Sequence, residues 1–252
     1  MLQEGTKISK KTGEMKKLTI DIGNTSIKYA IFEDKQMVAH GRTDGHDFSP
    51  LAQLRHEADR CIVCSTLKLD ADMKQTLIDL CPDTTFMSHL TKIPITNLYQ
   101  SPQTLGMDRL AAVIGAYSAT HSNTLVIDMG TAITYDFVTA KGEYLGGNIS
   151  PGMQMRFQAL HEHTALLPLI SAEGEVPEMG YDTETALRSG VVRGIKYEIE
   201  GYIRHFQQEY PQISVFLTGG DIKYLDMSPK SSIFVDDFIV PRGLNKILQY
   251  NE

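Results

Sequence analysis

Two short turns in this sequence carry the same residue types. Asp21-Ile-Gly-Asn-Thr25 and Asp128-Met-Gly-Thr-Ala132 each set a carboxylate two residues before a glycine, with hydroxyl side chains close by. A glycine at a strand reversal lets the backbone approach a ligand, and successive exposed N–H groups there form a concavity for anions. Thr25, Ser26 and Thr131 add hydroxyl donors sized for phosphate oxygens. Asp21 and Asp128 would repel phosphate by themselves. They make sense with a cation between carboxylate and phosphate, as Mg²⁺ sits among hard oxygen ligands. One such turn reads as an ordinary solvated hairpin. Two of them, with Thr218-Gly-Gly220 as a further glycine turn, point to a phosphate site.

Two more stretches carry chemistry. Gly106-Met-Asp-Arg109 enters an apolar helical pattern. Asp108 there is either the helix N-cap or a carboxylate that accepts a proton from a substrate hydroxyl, and Arg109 is either a solvated first-turn residue or the grip on an anionic substrate. Gly146-Gly-Asn-Ile-Ser-Pro-Gly152 reads as a glycine loop before a helix, where first-turn N–H groups lack partners and offer an anion platform. Weaker signals fall to structural readings. Cys61 and Cys64 form a C-x-x-C, but within a strand-like run their side chains take opposite faces, which favours core residues over a zinc or redox pair. His161-Glu-His163 lacks metal spacing on a helix, Arg188, Arg193 and Arg204 read as the solvated side of a long helix, and Lys28 on the return strand could approach the phosphates but reads first as a surface strand lysine.

These turns need elements to hold them. Leu18 to Phe32 gives two apolar β-rich runs around the first turn, a hairpin pattern, and Leu125 to Val138 repeats it about half a chain later. Leu110, Val113, Ile114 and Tyr117 follow helical spacing, as do Leu187, Val191, Ile195, Ile199, Tyr202 and Phe206 in a long helix capped by Asp182 or Thr183. A strand over Val215–Leu217 runs into the third turn. The expectation is an α/β protein of two similar lobes, 15–122 and 123–252, facing each other across a cleft, with residues 1–14 an upstream extension or expression remnant. The 252 residues suffice for a large core, and the net charge of −7 with 42% apolar residues argues against nucleic acid and membrane as partners. Three cysteines cannot form a disulfide framework, and a reduced cytoplasm is the expected location.

The five motifs, in this order, resemble those of type III pantothenate kinases, supported by Ala159-Leu-His-Glu-His-Thr-Ala165 and the stretch from Asp182 through Gly190. The resemblance runs from about Lys17 to Leu248, departing from commoner family residues at Met107, Asn148 and Ser150. It implies the duplicated, actin-like (ribonuclease H-like) ATPase fold, a homodimer, and transfer of the ATP γ-phosphoryl to the primary hydroxyl of pantothenate. By motif position, it implies that Asp21, Ile22, Gly23, Asn24, Thr25, Ser26, Ile27 and Lys28 form the first phosphate loop. Thr131 would contact ATP from the second loop, and Gly219 and Gly220 would lie near the adenosine. Asp108 becomes the general base. Tyr99, Gly106, Met107 and Arg109 line the pantothenate site, and Thr183 reaches it from across the dimer. Asp128 matches the position of a monovalent cation, K⁺ or NH₄⁺, beside the Mg²⁺ of ATP, with Asp21 toward Mg²⁺. Two rivals are a catalytically silent nucleotide-binding regulator and another small-molecule kinase of this fold. The presence of Asp21, Asp108, Arg109 and Asp128 together argues against the first. Gly106-Met-Asp-Arg109 ahead of the second turn argues, through the resemblance, against the other.

Overall fold

The computed structural model describes residues 15–45, 47–225 and 232–252, so the expected extension at 1–14 lies outside the described residues. Apolar alternation around the first turn produces β1 (Lys16–Ile22) and β2 (Ser26–Glu33), antiparallel, followed by β3 (Gln36–Asp44). β4 (Arg60–Ser65), α1 (Ala71–Leu80) and β5 (Thr84–Phe86) complete a five-stranded sheet of order β3-β2-β1-β4-β5, in which β4 and β5 run parallel to β1. β6 (Thr96–Asn97) and α2 (Met107–Thr120) follow. The second turn again joins antiparallel strands, β7 (Thr124–Met129) and β8 (Ala132–Val138), succeeded by β9 (Glu143–Pro151). After α3 (Met153–Glu162) and α4 (Thr183–Glu209) come β10 (Ser214–Thr218), β11 (Ile233–Val235) and α5 (Ile239–Tyr250). The second sheet has the order β11-β10-β7-β8-β9-β6. Apart from the added β6, it repeats the first sheet strand for strand, as the sequence duplication requires.

Strand periodicity sorts the core into layers. Leu18, Ile20, Ile22, Cys61 and Val63 face outward from the first sheet against Leu51, Leu54, Leu77 and Leu80. Leu125, Ile127, Met129, Ile133 and Tyr135 face outward from the second against Val191, Ile195 and Ile199 of α4. The layer between the sheets is α2 and α5, packed on Ile62, Cys64, Val126, Val138 and Tyr144. The two helices cross in close contact: a Cβ on Gly243 would lie 1.8 Å from the Ala111 carbonyl oxygen. Cys61 and Cys64 thus lie in different cores, and among the described residues no cluster of three His, Cys, Asp or Glu side chains is set to hold a metal ion.

Three sequence expectations change. Gly146 to Pro151 belongs to strand β9, because its backbone is taken up pairing with β8, so only Gly152 is left as the N-cap of α3. Asp108 is not the cap of α2; Gly106 occupies that position and Asp108 lies in the first turn. Arg188 and Arg193 are not a solvated face. They donate to the carbonyls of Ser171 (3.1 Å) and Pro177 (2.8 Å), lashing the irregular segment before α4 to that helix. At its start, Asp182 accepts from Thr185 N while Thr185 Oγ1 accepts from Asp182 N, a reciprocal cap.

Candidate active site

Alternation places the functional carboxylates. In β1 the outward face is Leu18, Ile20 and Ile22, so Asp21 turns toward the helical layer; by the same count Asp128 turns inward with Val126, and Asp136 with Val138. The N-terminal turn of α2 carries Asp108 and Arg109: Asp136 is hydrogen-bonded to Arg109, and Asp21 and Asp128 feel the charge of Asp108. Ile22 and Ile27 are fully buried on the outward side, so of the first loop they offer only backbone to a ligand. Gly23 N donates to Ser26 O at 3.0 Å and closes the turn, with Asn24 and Thr25 exposed at its tip.

The carboxylates are electrostatically crowded. Burial pushes Asp21 up to about 6, and the charge of Asp108 adds to the shift, while a hydrogen bond from Cys64 Sγ (3.3 Å) and the charge of Lys28 oppose it. Asp128 is pushed up to about 7, first by burial, with Lys28 opposing and Asp108, Asp21 and Asp136 reinforcing. Burial also raises Asp108, with Asp136 reinforcing and the Arg109 backbone and charge opposing. Repelling carboxylates with one lysine nearby favour a bound cation, and their hard oxygen donors suit Mg²⁺ or a monovalent ion. Asp21 and Asp128 are the residues that would hold it.

The third turn closes the site. Thr218 pairs with Asp128 across β10 and β7. Gly219 follows at φ +102°, and a Cβ there would lie 2.4 Å from the Met129 carbonyl carbon. Only glycine lets this turn lie against the second one. Gly219, Gly220, Lys28, Arg42, Lys223 and Phe238 line a cavity of about 400 Å³. Lys28 belongs to this cavity and donates to Asp237 O at 3.1 Å, which corrects its reading as a plain surface lysine.

Arg109 departs furthest from its solvated reading. It is 7% exposed, and its Nε and Nη2 donate to Asp136 at 3.1 and 2.7 Å. Tyr144 Oη donates to the same Asp136 Oδ1 at 2.7 Å. Burial alone would lower the Arg109 pKa, but the bonds and charge of Asp136 hold it above its usual value. Tyr99 lies beside the guanidinium, 5.9 Å from ring centre to Cζ, and Met107 packs on the same core. Sequence reading missed Asp136, Tyr144, Arg42 and Lys223. The signal for Asp136 was there: a lone acid on the inward side of Ile133-Thr-Tyr-Asp-Phe-Val138. Thr131 is exposed at the second turn, where its carbonyl accepts from Gly152 N at 3.1 Å. Thr183 is a predicted residue that lies away from these turns. It lines a separate groove of about 760 Å³ with Leu160, Leu167, Leu187 and Val191, on the outward side of the second sheet.

With this geometry in place, comparison with known proteins is decisive. The sequence profile of type III pantothenate kinases matches residues 17–205. The chain belongs to the type III pantothenate kinase family. A type III pantothenate kinase of Phocaeicola vulgatus is 50% identical over 238 residues, covering 93% of this chain and 98% of the relative. One from Christiangramia forsetii is 35% identical over 240 residues, at 93% and 98% coverage. Among solved structures, a Campylobacter jejuni protein described as a Baf family transcriptional activator has TM-score 0.58 and 21% identity, covering 93% of this chain and 98% of its own. The Clostridium difficile activator of 2-hydroxyisocaproyl-CoA dehydratase, solved with bound ADPNP, has TM-score 0.53 and 14% identity, covering 94% of each chain. The fold of this type III pantothenate kinase family member is the actin-like ATPase and sugar kinase fold.

Proposed function

We propose that the chain transfers the γ-phosphoryl group of ATP to the primary hydroxyl of pantothenate, giving 4′-phosphopantothenate, the first step of coenzyme A synthesis. The observation that carries this reading is the convergence of Asp108 and Arg109 with two Asp-x-Gly turns at one end of α2. The lobes 15–122 and 123–252 then enclose the nucleotide. Gly219, Gly220 and Lys28 bound the cavity for adenosine and phosphates, and the residues from Asp21 to Lys28, with Thr131, supply phosphate-loop contacts. Arg109 grips the pantothenate carboxylate beside Tyr99, Gly106 and Met107.

Asp21 would hold Mg²⁺ and Asp128 a monovalent cation, K⁺ or NH₄⁺, and together these would supply compensation for the phosphate charge. The pantothenate hydroxyl oxygen bonds to the γ-phosphorus as the bridging bond to ADP breaks. Its proton passes to Asp108, whose raised pKa suits that role. An alkyl hydroxyl is barely acidic, so this transfer comes late, once the new bond is forming. Most of the rate enhancement is positioning and charge compensation.

A homodimer completes the site. Leu166, next in the chain to the groove-lining Leu167, and Met179 and Tyr181, shortly before Thr183, are respectively 92%, 82% and 70% exposed, and a second copy covering them would carry Thr183 to its neighbour's substrate. The reaction is cytoplasmic in this reading, which the three unpaired cysteines support. ADP release from ATP and Mg²⁺, with and without pantothenate, in K⁺ and then Na⁺ buffer, tests the whole reading. The expected result is release that needs both pantothenate and K⁺ or NH₄⁺. Release without pantothenate would overturn the acceptor assignment, and ATP binding with no release would make the chain a regulator.

A further inference from the structure

Asp136 is 1% exposed, lies in no phosphate turn, and faces the layer where the reaction is placed. Its oxygens take three bonds from Arg109, two from Nε and one from Nη2, and a fourth from Tyr144 Oη. The pair therefore engages the Nε–Nη2 edge and leaves Nη1 outside it. A guanidinium is a rigid planar fork, so fixing one edge fixes the direction of the remaining donors. Tyr144 is itself held, fully buried, with its ring 6.2 Å from that of Tyr99 and stacked at 28°. Tyr99 in turn flanks the guanidinium. A buried ion pair gives little net stability, since desolvation offsets most of the attraction. Its gain here is orientation.

We propose that Asp136, held by Tyr144, is a positioning residue that aims Arg109 at the substrate carboxylate and so makes the chain select an anionic acceptor over a neutral one. This rests on the reading that Arg109 grips that carboxylate. Pantothenate and its alcohol analogue, in which the carboxylate is reduced to CH₂OH, share the same acceptor hydroxyl. The ratio of their kcat/KM values therefore cancels effects on Asp108 and on ATP, and a merely structural ion pair would leave it unmoved.

The experiment measures that ratio for the wild-type chain, Tyr144→Phe, Asp136→Asn and Arg109→Gln, with a thermal melt of each to establish folding. Tyr144→Phe, which keeps both charges, is the variant that decides the matter if Asp136→Asn does not fold. The ratio should fall about 3- to 10-fold in Tyr144→Phe and about 10- to 100-fold in Asp136→Asn, mainly through a higher KM for pantothenate. Arg109→Gln should lose the preference altogether. If Arg109→Gln abolishes the preference while Tyr144→Phe and any folded Asp136→Asn retain it, the positioning role is overturned. If Arg109→Gln retains the preference, the reading of Arg109 itself fails, and the proposal with it.

Discussion

Asp108 lies in the first turn of α2 while Gly106 is its N-cap, so replacing it leaves that cap in place. Asp108→Asn should keep ATP affinity while turnover falls on the order of 10²-fold or more, measured by nucleotide titration beside steady-state assays. Unchanged turnover would remove it from the reaction. Asp21 and Asp128, at about 6 and about 7, bind protons more tightly folded than unfolded. Their contribution to stability is full below about pH 4 and is lost as pH rises through 6 and 7. Asp47 and Asp182, held below the ordinary value, have the opposite sign, but theirs is already complete above about pH 4. Between pH 5 and 8, with divalent ions removed, the melting temperature should therefore drop, with Mg²⁺ and ATP restoring most at pH 8. Asp128→Asn should flatten the slope, and a flat wild-type curve would show that the carboxylates are not crowded. At this scale the repeated Asp-x-Gly turns were legible because residue type and spacing recur. The Arg109–Asp136 pair was not, because its partners are 27 positions apart and meet only through strand alternation.

α2 is the element on which the site turns, and its place is set by its crossing with α5. Gly243→Ala would drive a methyl group into the Ala111 carbonyl. The helices must then separate, at a cost of about 3 kcal/mol. A melting temperature lower by roughly 6–12 °C should follow, with kcat falling because Asp108 and Arg109 move with α2. Loss of stability with kcat intact would show that α2 is positioned by something other than this crossing. Helical spacing revealed α2 and α4 in the sequence, since each buries a continuous apolar face. β9 was hidden behind its glycines, which signal a loop locally but serve close strand packing: a Cβ on Gly147 would lie 2.0 Å from the Tyr135 carbonyl oxygen.

The whole molecule is one strand plan used twice, with two helices between the copies. That duplication was readable from two turns half a chain apart; the sharing of α2 and α5 by both sheets was not, because it depends on long-range packing. The homodimer proposed above would associate through the outside of the second sheet, where Gly190 lines the apolar groove and a Cβ on it would meet nothing within 4 Å. A helical glycine with room for a side chain costs about 1 kcal/mol against alanine, which is understandable where another surface comes close. Gly190→Leu should leave each protomer folded yet shift sedimentation from dimer to monomer; a dimer that persists would place the interface elsewhere. The helix between the sheets has one further consequence. α5 covers the inner face of β1, and Lys17 Nζ reaches Glu252 at 2.6 Å, yet helix and strand are separated by about 200 residues of chain. At about 5–20 residues per second, a ribosome exposes that strand for roughly 10–40 s before its cover is made. β1 is therefore a strand that waits long for shelter, and the cell's holding chaperones have an opportunity there.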